Sequence, residues 1–133
     1  MRRLAILALV MLMTASFSPS LIAQGKGKGK TASASVYSIA LEVVNDNGNS
    51  LPDYGESIKV NVSTTATNPL VSVTCEQGTA LVYAGGGWPT NWSFVLASGS
   101  WTGGEAECTA RVYTSIDGSK TTTLGTLSFH VGA

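Results

Sequence analysis

The chain has one histidine, His130, and two cysteines, Cys75 and Cys108, among its 133 residues. So little imidazole and thiol excludes most catalytic and metal chemistry. A hydrolytic triad would have to be built on His130, with no G-x-S-x-G elbow beside it. A closed metal site would need more ligands than these residues supply. No enzymatic activity and no cofactor is therefore expected. Helical periodicity is also missing, because good helix formers are scarce between runs of Val, Thr, Ser and Gly. The longest apolar run, Leu4 to Met13, falls short of the roughly 18 residues needed to cross a bilayer.

That short run has a different meaning. It follows Arg2 and Arg3 and gives way to Thr14, Ser16, Ser18 and Pro19, the order of a secretory signal peptide. Leu21 and Ala23 place the cut before Gln24, so residues 1–23 are read as a signal peptide. No cysteine follows the run to carry a lipid, and no stable membrane span is expected after cleavage. Residues 24–35 alternate Gly with Lys26, Lys28 and Lys30 before Thr, Ala and Ser, a composition with no apolar face to offset the entropy of ordering. They are read as a flexible basic tether. The expected location is secreted or at the cell surface.

The remaining domain, 36–133, differs in charge. Its only cations are Lys59, Arg111 and Lys120, against eight carboxylates beginning at Glu42, which leaves a net charge of −5. An acidic surface repels phosphate backbones, so nucleic acid is set aside as a partner.

Within that domain the recurring pattern has a period of two. Tyr37, Ile39, Leu41 and Val43 share one face of a first strand. Ile58, Val60 and Val62 follow in a second, and Val71, Val73 and Cys75 in a third. Gln77 and Gly78 read as a tight turn into Leu81 and Tyr83. Trp92, Phe94 and Leu96 alternate next, then Ala106, Cys108, Ala110 and Val112. Asp117 and Gly118 give a hairpin signal. In the last strand Leu127, Phe129 and Val131 are in phase while Leu124 is not, and Gly125 between them marks a bulge. Seven strands at spacings of about ten residues predict a two-sheet antiparallel β-sandwich, with a closed barrel as the alternative. Lys59 and Pro69 near strand ends would blunt the exposed edges.

Cys75 and Cys108 both fall on the inward phase, and in an exported chain two such residues are expected to be oxidised. The stretches GGEAECTARVY, from Gly103, and YGESIKVNVSTTAT, from Tyr54, are similar to the run into the second cysteine and to the second strand of immunoglobulin-like domains. Over Val36 to Ala133 the chain resembles small secreted bacterial Ig-like proteins of uncharacterised role. The resemblance implies a seven-stranded Ig-like sandwich. Two features depart from the family: the first cysteine sits on the third strand, which would join neighbours in one sheet, and Ala106 occupies the tyrosine-corner position.

Other polar groups read as surface or turn chemistry. Glu105 and Glu107 point the same way on an outer face, which makes them surface charge rather than a glycosidase pair, and His130 is read as a solvated strand residue. Asp46, Asn47, Asn49 and Asp53 could offer oxygens to a hard cation, but their spacing completes no calcium loop and turns favour the same residues. Asn61 and Asn91 head sequons that would be used only in a eukaryotic host.

The loop AGGGWPTNW, from Ala84, stands apart. Strand packing does not account for Trp88 and Pro89 beside three glycines, and an exposed indole is a platform for a sugar ring or a protein pocket. Trp88, Trp101 and Tyr83 are the candidate contacts, whereas Trp92, in phase with Phe94, is read as plugging an end of the sandwich. The expected function is a secreted, non-catalytic Ig-like module for protein interaction, adhesion or structural display. The alternative is a carbohydrate-binding module using exposed tryptophans. The expected partner is a protein or glycan at the cell surface.

Overall fold

The computed structural model describes residues 33–133. The signal peptide read at residues 1–23 and the tether up to residue 32 lie outside the described residues. Seven strands follow in order: β1 (Val36–Val43), β2 (Ser57–Thr64), β3 (Leu70–Gln77), β4 (Ala80–Gly87), β5 (Ser93–Val95), β6 (Ala106–Ile116) and β7 (Lys120–Val131). They form two antiparallel sheets, ordered β1-β2-β5 and β4-β3-β6-β7. The result is an all-β, sandwich-like fold rather than a closed barrel.

Alternation decides what lies between the sheets. Ile58 and Val60 of β2, Val71, Val73 and Cys75 of β3, and Ala106, Cys108, Ala110 and Val112 of β6 are all buried. Val82, Phe94, Leu96, Trp101 and Val131 complete this core with them. Inward phase on β3 and β6 is further locked by the Cys75–Cys108 disulfide. The two residues are direct register partners, so the bridge crosses a single ladder inside one sheet.

Three irregularities correct the simple period. A register shift between Val36 and Ser38 turns Tyr37 outward, leaving it exposed, and Val36 takes the inner position instead. A second shift between Cys75 and Glu76 on β3 skips Val82 on β4, so Val82 is buried and Leu81 is exposed. The third lies where Gly125 pairs with Val112 but Thr123 pairs with Tyr113, which makes Leu124 the extra residue of a bulge. A Cβ on Gly125 would stand 2.9 Å from Cδ1 of Ile39, so the glycine lets β1 approach β7 across the gap between the sheets. The β6–β7 hairpin turns through Asp117 and Gly118, both at positive φ, as tight hairpin turns require.

Candidate functional site

The connection from β4 to β5 passes from one sheet to the other and carries Trp88 and Trp92. On β4 the inward positions, in register with Val73 and Val71, are Gly85 and Gly87. They lack side chains because neighbouring aromatics fill that space. A Cβ on Gly85 would meet the Tyr83 hydroxyl at 2.6 Å and Phe94 Cδ1 at 3.2 Å. A Cβ on Gly87 would fall over the face of the Trp92 pyrrole ring, near Cγ, Cδ1 and Nε1. The glycine run is thus a bare strip of backbone on which Trp92 lies.

Trp92 is consequently both an end plug and a surface residue. The structure leaves it 43% exposed, so the residue expected to plug an end of the sandwich also presents a surface. Only one face of the indole is needed to close the sandwich. Trp88, 56% exposed, meets it edge-on with ring centroids 5.6 Å apart and planes at 63°. The two rings line an open groove of about 450 Å³ together with Pro69, Pro89, Asn68 and Asn91. None of these six side chains carries a charge.

The groove is held in an unusual backbone conformation. Thr90, between Pro89 and Asn91, sits at φ 68°, and the Asn91 N–H donates to the Pro89 carbonyl at 2.8 Å. That i to i+2 bond defines a γ-turn, a strained arrangement for a β-branched residue. The Thr90 N–H in turn donates to the Val60 carbonyl of β2 at 2.9 Å, which moors the loop to the opposite sheet. Asn68, on the facing rim, is also at positive φ (51°), directly before Pro69. Strained residues of this kind persist where surrounding structure over-determines them, and they cluster at binding sites.

The other two expected contacts lie elsewhere. Trp101 is 1% exposed and does not reach the surface. A bridge between Ser98 and Trp101 folds the chain back, the indole N–H donates to the Gly104 carbonyl at 3.1 Å, and the Tyr54 hydroxyl donates to the Trp101 carbonyl at 2.9 Å. With Tyr54 at 5.3 Å between centroids and Tyr83 at 6.5 Å, Trp101 is a core aromatic. Tyr83 is half-buried, and that burial pushes its phenol above the ordinary pKa of 10.0. Its hydroxyl covers Gly85 rather than lining the groove.

The acidic turn between β1 and β2 uses its carboxylates internally. Asp46 Oδ1 accepts the backbone N–H groups of Gly48, Asn49 and Ser50 at 3.0 to 3.1 Å. Desolvation pushes this carboxyl upward, but the donors from Gly48, Ser50 and Asn49 together outweigh it and hold the pKa below 3.8. Asp53 Oδ2 accepts the side-chain amides of Asn47 and Asn49 at 2.6 and 2.8 Å. Glu56, buried, accepts from the backbone of Asn47 and Asp53. Among the described residues no cluster of His, Cys, Asp or Glu is arranged to hold a metal ion.

His130 and Glu107 are register partners on β7 and β6, and Nδ1 lies 2.7 Å from Oε1. Both are exposed, consistent with surface charge, though their pairing was not read from the sequence. The hydrogen bond to Glu107 raises the His130 pKa above 6.5. Desolvation opposes this, and the charges of Glu107 and Glu105 add to the rise.

No protein-family model, curated protein or solved structure matches the chain.

Proposed function

We propose that the protein is a secreted, non-catalytic Ig-like module that acts by binding, with the Trp88–Trp92 groove as its contact surface. The observation that carries this reading is the pair of exposed indoles, of which Trp92 lies on a glycine strand, joined by a strained, moored turn. Exposed aromatics in soluble proteins mark interaction sites when they are contiguous and held in place. Preorganisation also lowers the entropy lost on binding.

The strand order supports the Ig-like part of the reading. Sheets β1-β2-β5 and β4-β3-β6-β7 follow the A-B-E and C′-C-F-G order of that architecture. The in-sheet disulfide departs from the usual bridge between the second and sixth strands. Export rests on the charged, apolar and small-residue order of residues 1–23, and the disulfide fits an oxidising compartment.

The test is retention on insoluble cell-surface material from the host. The protein should be depleted from solution, and Trp88→Ala should abolish depletion while leaving the far-ultraviolet circular dichroism unchanged. Equal retention of Trp88→Ala would remove the groove from the proposal. Amino-terminal sequencing of the exported protein should begin at Gln24; a start at Met1 would sink the export reading.

A further inference from the structure

We infer that the groove takes an uncharged oligosaccharide, an inference that rests on the binding role proposed for Trp88 and Trp92. Its size comes first. At about 450 Å³ it falls within the range of small-ligand sites, roughly 300 to 1,000 Å³. A stable protein partner would cover about 800 Å² on each side, far more than six side chains present. Of the remaining exposed apolar residues, Tyr37, Val44, Leu51, Leu81 and Ile116 lie on other strands and loops, and Val95 of β5 is on the phase opposite to Phe94 and Trp92 and does not line the groove.

Its chemistry narrows the class. A pyranose offers an apolar face of C–H groups and a rim of hydroxyls that both donate and accept hydrogen bonds. Indole faces match the first. Carboxamides match the second, since each Asn side chain carries both a donor and an acceptor, and Asn68 and Asn91 stand beside the rings. Charge excludes the anionic members of the class. No lining residue is cationic, while the domain is acidic, so uronates, sulfated glycans and phosphate headgroups would find no counter-charge and would meet net repulsion. Rigidity favours the same ligand: the γ-turn at Thr90 and the bond to Val60 fix the angle between the rings without a partner's help.

The test titrates the purified protein with cellohexaose, chitohexaose, xylohexaose, laminarihexaose, mannohexaose and maltohexaose, following tryptophan emission and calorimetric heat. At least one should give a saturable emission change. Trp88→Ala should weaken it by about tenfold or more, and Asn91→Ala by several fold, the scale of losing one stacked ring and one hydrogen bond. Trp88→Phe should retain part of the affinity and guards against a folding artefact. Polygalacturonate should not bind. Silence across the neutral panel overturns the inference, as does binding that Trp88→Ala leaves unchanged. If a proline-rich peptide binds instead, or if Trp88-dependent retention on cell-surface material persists without any sugar binding, the glycan assignment falls while the groove remains the contact surface. If retention itself ignores Trp88→Ala, the binding role fails first.

Discussion

The face of the Trp92 indole lies over the Cα of Gly87, at the place where any other residue would put its Cβ. This contact ties the edge strand β4 to the groove. Gly87→Ala should displace the ring, cost about 1 to 3 kcal/mol as an overpacked site, and red-shift tryptophan emission. Gly86→Ala is the control, because its Cβ would meet only the Val71 carbonyl at 3.9 Å. It should be neutral or stabilising by about 0.5 kcal/mol through loss of unfolded-state entropy. Equal melting temperatures for the two variants would refute the role of Gly87.

Thr90 holds a left-handed backbone with a β-branched side chain. Thr90→Gly removes about 1 to 2 kcal/mol of steric penalty and adds about 0.5 to 1 kcal/mol of chain entropy. The net expectation is a gain of roughly 0.5 to 1 kcal/mol in chemical denaturation. A loss of stability would mean that the hydroxyl or the turn contributes more than the strain costs.

The Cys75–Cys108 bridge spans a sequence separation of 33, which corresponds to about 3.5 to 4 kcal/mol in the chain-entropy model. Both residues are buried. Intact mass after alkylation without reductant should show no modified thiol, and Cys75→Ala/Cys108→Ala should lower unfolding free energy by a comparable amount. Two labelled cysteines in the untreated protein would contradict the structure.

His130 has a folded-state pKa above its ordinary 6.5 because of Glu107. A raised pKa means that the ion pair favours the fold below about pH 6.5 and that this contribution disappears as pH rises through the folded-state value. Ring-proton NMR titration should place the midpoint above 6.5, and Glu107→Gln should bring it down. An unchanged midpoint in that variant would refute the pairing.

Much of the fold was legible because half-buried strands write their faces into the sequence. Val71, Val73 and Cys75, and Ala106, Cys108, Ala110 and Val112, were placed inward by alternation alone, and the bulge at Leu124–Gly125 followed from one broken phase. The pairing of His130 with Glu107 was not legible from the Asp117–Gly118 signal alone, because the turn takes a third residue, Ser119, so that Ile116 pairs with Lys120 and the bulge then adds one more. Tyr37 and Val82 were missed because the bulges beside them carry no glycine to mark them.

The site was legible in part. Trp88 stood out for want of a packing role, but Trp101, expected as a contact, is buried, and Trp92, expected as an end plug, is also exposed. Phase assigns a face of a strand, not depth. Trp92 lies on the inner phase but at the open end of the sandwich, whereas Trp101 lies in an irregular stretch that folds back beneath Tyr54. A signal for Trp92 was present in the pairing of two alternating sets, Gly85 and Gly87 against Phe94 and Trp92, where small residues on one strand make room for large ones arriving from another.

The in-sheet disulfide also determines how the molecule would carry tension. Strand β4, the tryptophan-bearing turn and β5 all lie between Cys75 and Cys108, inside a covalent loop. If the chain is pulled from its two ends, force passes through the bridge, and some 33 residues, roughly 110 Å of extended chain, are spared from stretching. Trp88 and Trp92 ride on that shielded segment. Load applied to a displayed domain would therefore unravel β1, β2 and β7 without drawing out the segment that bears the two indoles.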